Sequence, residues 1–222
     1  MKNTLLASAL AVLLNLIFGM ATAEPTAPNE IGLYTEPHGY GATGTSVIGS
    51  RVNVYLFLTR PTDPRTGLPF RTIWGYALNM VFDPVPEDDL VLTRTTLPEN
   101  SIDIGRYKDI TLGTLEFVVA WSGIQTAYGV VDDEAAVLTE FTFMNIGTHT
   151  TAVRFEPVDT PSVFGNLVFV GYGEDELPPE PIIRDDFMYP VSGSLDAPVF
   201  LFNGEAVPVE TRTFGTLKAL YR

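Results

Sequence analysis

The feature that most limits the fold is a period of two that returns along the chain between glycine- and proline-rich breaks. In residues 51–59 (RVNVYLFLT) Val52, Val54, Leu56 and Leu58 fall on one face. In residues 74–82 (WGYALNMVF) Trp74, Tyr76, Leu78, Met80 and Phe82 do the same, with Gly75, Ala77, Asn79 and Val81 opposite. Successive side chains of a strand leave opposite faces, so this alternation describes a half-buried antiparallel strand. Residues 90–95, 114–121 and 137–146 continue the pattern, with Leu115, Phe117, Val119 and Trp121 sharing a face. Shorter runs lie at 31–35, 152–155, 167–170 and 199–202.

The breaks are as informative as the runs. Residues 38–49 are glycine-rich, and residues 61–69 (PTDPRTGLP) carry three prolines and a glycine, so both read as loops. Pro84 ends the strand before it, because proline cannot donate to a ladder. Asn203-Gly204 suits a two-residue type I′ turn, with 206–209 as the returning strand. Only residues 214–221 read as helix, with Phe214, Leu217 and Leu220 or Tyr221 on one side and Thr213 as N-cap. Nine to ten short strands with almost no helix predict an all-β fold. The expected form is an antiparallel β-sandwich of jelly-roll or immunoglobulin-like topology with a short C-terminal helix, a closed barrel being the alternative. No repeat of 20 to 50 residues points to a solenoid or propeller.

Residues 1–23 have the layout of a cleaved secretory signal peptide. Lys2 is followed by an apolar run to Phe18, and Ala21-Thr22-Ala23 supplies a small-x-small cleavage site. The run is shorter than the roughly 20 apolar residues a bilayer-spanning anchor requires, and no later segment is apolar enough to span. Residues 24–30 (EPTAPNE) read as a flexible lead, and 31–222 as one domain. The protein is therefore expected to be exported, to the periplasm, the cell surface or the medium.

With 45% apolar and 18% charged residues the chain can bury a sizeable core. Thirteen Lys and Arg stand against 27 Asp and Glu, a net charge of −14, and phosphate backbones and anionic lipid surfaces repel such a chain. Neither nucleic acid binding nor membrane insertion after cleavage is expected. There is no cysteine, which excludes disulfides, thiolate metal sites and a cysteine nucleophile.

Candidate chemistry is sparse. His38 and His149 are the two histidines, and neither lies near a nucleophile elbow or in a ligand-spaced motif, so a serine triad and a zinc site are both disfavoured. A glycosidase needs only two carboxylates, and Glu116 and Glu140 sit inside predicted strands. Each alternates with apolar residues, which places it on the solvated side. No catalytic residue is assigned. Calcium favours clustered oxygen ligands; Asp132, Asp133 and Glu134 form the densest acidic cluster between two strong strands and are the candidate metal ligands, with no other cofactor expected. Trp74 and Trp121 are in phase with the apolar faces of their strands and read as core. Tyr40, Tyr128 and Tyr172, in glycine-flanked GYG, AYG and GYG stretches, read as exposed loop aromatics and are the candidate ligand-binding residues.

Five phrases together resemble a known group: IGLYTEP (31–37), RVNVYLFL (51–58), WGYALNMVFDP (74–84), TPSVFGNLVFVGYG (160–173) and TFGTLKALYR (213–222). They are similar to small exported bacterial β-sandwich proteins of cohesin-like or carbohydrate-binding-module-like type, mostly uncharacterised. Relatives in that group often carry cysteines after the first strand; residues 39–49 here carry none. The resemblance implies a sandwich and carries no catalytic residue. Cohesins proper bind dockerin modules through a flat sheet face, and nothing in the sequence marks one. The expected function is a non-catalytic exported module, structural or adhesive, that binds a protein or polysaccharide. The alternative is an exported carbohydrate-active hydrolase with a carboxylate pair.

Overall fold

The structure, a computed structural model, describes residues 27–36, 43–44, 48–86, 88–121, 128–129, 135–159, 166–173 and 184–204. The segments read as signal peptide and C-terminal helix lie outside the described residues. The strands are β1 (Glu30–Tyr34), β2 (Thr43–Gly44), β3 (Arg51–Thr59), β4 (Phe70–Asp83), β5 (Leu90–Thr96), β6 (Ser101–Asp103), β7 (Thr114–Trp121), β8 (Tyr128–Gly129), β9 (Ala135–Asn145), β10 (Thr151–Glu156), β11 (Leu167–Gly173), β12 (Arg184–Pro190) and β13 (Phe200–Phe202). A 3-10 turn at Ile110–Leu112 precedes β7, capped by the Asp109 carboxylate on the Thr111 N–H. Every long run with period two is a strand; of the strands not expected, β2, β6 and β8 have only two or three residues, and β12 (RDDFMYP) opens on three charged residues that hide its alternation.

The strands form two facing layers. One runs β1-β3-β9-β5. The other centres on β4, with β7 and β8 on one flank and β10 and β11 on the other, β6 beyond β7, and β13 and β2 beyond β10. Aromatic side chains lock the layers together. Phe82 meets Phe143 at 6.2 Å, Phe117 meets Phe141 at 5.4 Å and Phe202 meets Phe143 at 4.9 Å between ring centroids. Such pairs add about 0.5–1.5 kcal/mol each beyond their buried area. In the middle of this core the Tyr76 hydroxyl bonds Thr139 Oγ1 across the layers, and Thr139 in turn donates to the Leu138 carbonyl at 2.7 Å. Burial pushes the Tyr76 hydroxyl pKa far up, so it stays protonated.

β12 closes one side of the sandwich. Its first part pairs antiparallel with β11, and its last two residues, Tyr189 and Pro190, pair in parallel with Glu30 and Ile31 of β1. The strand passes from one layer to the other, so the sheet is mixed and not purely antiparallel. On the opposite side β5 ends one layer and β6 ends the other, with four residues between them. The β5 edge is not flat. A register shift between Leu92 and Arg94 leaves Thr93 out of the ladder, where its hydroxyl holds the Thr142 carbonyl at 2.8 Å. A bulge and an exposed arginine are the devices that keep an edge from pairing with another chain.

Two readings from the sequence need correction. Asn203 takes the left-handed φ of 53° that a type I′ turn requires, but Gly204 does not share it. Asn203 serves a different end: its amide pairs reciprocally with that of buried Asn145, at 3.0 and 3.1 Å, fastening the end of β9 to the end of β13. The return segment 206–209 lies outside the described residues. The second correction concerns Trp74. On β11, Val170 opposes Gly75 and Gly171 opposes Ile73, so Trp74 is an extra residue in a β-bulge. The bulge resets the alternation: Ile73 takes the core position, and half-buried Trp74 lies on the outer face with its Nε1 donating to Thr72 Oγ1 at 3.2 Å.

Candidate interaction face

The outer face of the β4 layer carries an apolar stripe that runs across the strands. Residues directly opposite in an antiparallel ladder share a face. Phe187 opposes Val168, Val168 opposes Ala77, and Ala77 opposes Val118. The Ile104 N–H bonds the Val118 carbonyl at 3.0 Å and extends the row past the end of β6. A second row beside it contains Val170, Gly75, Ala120 and Ile102. At roughly 4.8 Å between strands, the stripe from β12 to β6 is about 19 Å long. Its middle, of valine, alanine and glycine, is largely covered, with Val168 only 5% exposed, while its ends are open: Phe187 is 43% exposed, Ile102 58% and Ile104 71%. Trp74 stands next to it, on the same side as Gly75.

The edge of this face is shaped by a turn of chain that sequence reasoning missed. After Ile104 the ladder between β6 and β7 breaks, and it resumes where the Glu116 N–H bonds the Tyr107 carbonyl at 2.8 Å. The Glu116 side chain fills the gap, accepting the Arg106 N–H at 2.9 Å. Asp103 accepts the N–H groups of Gly105 and Val118 at 2.9 and 3.2 Å. Lys108 Nζ bridges Asp103 and the Glu116 carbonyl and lies 4.5 Å from the Phe117 ring centroid. Gly105 is required here, since a Cβ would overlap the Glu116 carbonyl oxygen.

This arrangement alters the reading of Glu116. It lies on the outer face, as alternation demands, but it is only 7% exposed, because residues 105–107 fold over it. Glu140 lies on the outer face of the other layer, opposite Tyr55 and Thr96. The two carboxylates leave opposite sides of the sandwich, and they do not form a pair across a cleft.

The other candidates fare as follows. Tyr128 and Tyr172 are not loop residues: Tyr128 is in β8 opposite Ile73, and Tyr172 is in β11 opposite Thr72, so the backbone brings both alongside the start of β4. Tyr40, His38 and the cluster Asp132, Asp133 and Glu134 lie outside the described residues. Among the described residues no group of three or more His, Asp or Glu could hold a metal. His149 is an exposed turn residue whose Nδ1 meets the Asp89 carboxylate at 3.0 and 3.1 Å. Hydrogen bonds from the His149 backbone and ring hold the Asp89 pKa below the usual carboxylate range.

No family model and no curated protein sequence matches the chain. Among solved structures it is similar to the second type II cohesin module of the adaptor ScaA scaffoldin from Acetivibrio cellulolyticus, with a TM-score of 0.48, 14% identity, and coverage of 87% of this chain and 98% of that one. It is also similar to the seventh ScaB type I cohesin from Pseudobacteroides cellulosolvens, at 0.46 and 12%, covering 83% and 98%. A third is the sixth cohesin of A. cellulolyticus scaffoldin B in complex with a Cel5 dockerin, at 0.45 and 12%, covering 81% and 100%. These neighbours are cohesins, the type of sandwich the sequence phrases resemble. Likeness at this level does not make the chain a member of that family.

Proposed function

We propose that the chain is a non-catalytic, exported protein-binding module that docks its partner on the outer face of the β4 layer. The observation that carries this reading is the apolar stripe with exposed Phe187, Ile102 and Ile104 on a chain of net charge −14. A contiguous apolar patch of this kind marks an interaction surface, and aliphatic and aromatic anchors supply most of the affinity at such sites. The make-up of the stripe favours a protein over a polysaccharide. Sugars stack on planar aromatic faces and need surrounding hydrogen-bonding groups, whereas rows of Val, Ala and Ile fit apolar side chains.

The test introduces charge into the stripe. Wild-type chain, Ile104→Asp and Phe187→Asp are immobilised and offered a panel of dockerins, the module bound by the scaffoldin B cohesin to which the chain is similar, together with a glycan array. Both substituted positions are exposed, so melting midpoints should stay within about 2 °C of wild type. Retention of a dockerin by the wild-type chain, lost tenfold or more in both variants, is the expected result. Binding to glycans that survives both substitutions would overturn the reading.

A further inference from the structure

We infer that Glu116 is a positioning residue: it anchors the segment 104–108 as a preformed strap that holds Ile104 at the rim of the docking face. The inference rests on the docking reading for its purpose, but the anchoring stands on geometry alone. A buried carboxylate on the outer side of a strand needs a reason, and here the reason is a backbone N–H. Where the edge ladder bulges, the Arg106 N–H is left without a carbonyl, and Glu116 accepts it at 2.9 Å. The bond to a carboxylate is of the stronger kind.

The remaining contacts converge on the same segment. Asp103 takes the Gly105 N–H, Lys108 ties Asp103 to the Glu116 carbonyl, and the Tyr107 carbonyl returns to the Glu116 N–H. Ile104 is therefore held at both ends of the bulge, by the Val118 carbonyl on one side and by the Glu116 anchor on the other. Ile104 and Tyr107 of the strap are open to solvent, Tyr107 being 49% exposed, while Lys108 turns back over Phe117. Immobilising such a segment before binding removes from the association the entropic cost of ordering its side chains.

The experiment reads anchoring and docking separately, in the full chain. Hydrogen exchange across residues 104–108 is measured for wild type, Glu116→Ala, Glu116→Gln and Gly105→Val. Gln keeps the accepting oxygen, while Val pushes the strap off the Glu116 carbonyl without touching the carboxylate. Exchange at the Arg106 amide should rise about tenfold or more in Glu116→Ala and Gly105→Val and stay near wild type in Glu116→Gln, with β4 and β9 amides unchanged. Unchanged exchange at Arg106 in Glu116→Ala, or a rise spread over the whole sandwich, would overturn the inference. The dockerin used above is the probe for the second arm. Affinity should fall in Glu116→Ala and recover in Glu116→Gln, and equal affinity for all variants would show that the strap does not serve docking. If Ile104→Asp leaves retention intact while the exchange result holds, the docking reading fails and the anchor remains.

Discussion

At the residue scale, single polar groups take a definite task from their surroundings. Asp186 shows this outside the docking face. Burial, with the Asp63 carboxylate as a lesser cause, raises its pKa from 3.8 to about 6, against the lowering effect of the Phe187 N–H and of Arg65. Because the folded value lies above the unfolded one, the folded chain binds the extra proton. The stability this contributes is complete below about pH 4 and is lost as pH rises through about 6. Replacing Asp186 by Asn should therefore raise the melting midpoint at pH 7, leave it nearly unchanged at pH 3.5, and flatten the profile between. A series of melts across that range checks it, and a lower midpoint at pH 7 in the variant would contradict it. Neither this proximity nor the burial of Glu116 could be read from sequence, since both depend on a loop folding over a strand. The outward phase of Glu116 and Glu140, by contrast, was legible from their apolar neighbours.

At the element scale the period of two located the long strands and failed where a bulge inserts one residue. Trp74 is the instructive case. Its phase with Tyr76, Leu78 and Met80 pointed to the core, but the bulge opposite Val170 and Gly171 puts Ile73 there instead. Gly75, an isolated glycine inside a strand pattern, was the one local signal available. Tyr128 and Tyr172 follow a related logic: neighbouring glycines suggest loops, whereas the backbone pairs both residues with β4. The link between β9 and β13 offers an element-scale prediction. Asn145 is buried and exchanges two amide hydrogen bonds with Asn203, so Asn145→Ala leaves Asn203 without that partner. The expected cost is about 1–3 kcal/mol. Denaturant unfolding measures it, and a change within about 0.5 kcal/mol would mean the pair does not fasten the two strands.

At the scale of the whole molecule, β12 seals one side of the sandwich and the bulged edges β5 and β6 lie on the other. The closing strand also supplies Phe187 and the open edge supplies Ile102 and Ile104, so the two ends of the apolar stripe are set by how the layers close. A stripe running across strands has no signature in a linear pattern, because neighbours in a row come from four or five separate segments. The outer face of the β3 and β9 layer has an apolar group of its own, Tyr34, Tyr55, Phe57 and Val137, in which Tyr34 and Phe57 are buried, and beside it lie Glu140 and exposed Arg51 and Asn53. The most direct measurement is therefore a hydrogen-exchange or hydroxyl-radical footprint of the chain with and without a dockerin that it retains. Protection centred on Ile102, Ile104, Val118 and Phe187, with Arg51, Val91 and Glu140 unchanged, is the predicted result. Protection confined to that second group would contradict the assignment of the docking face.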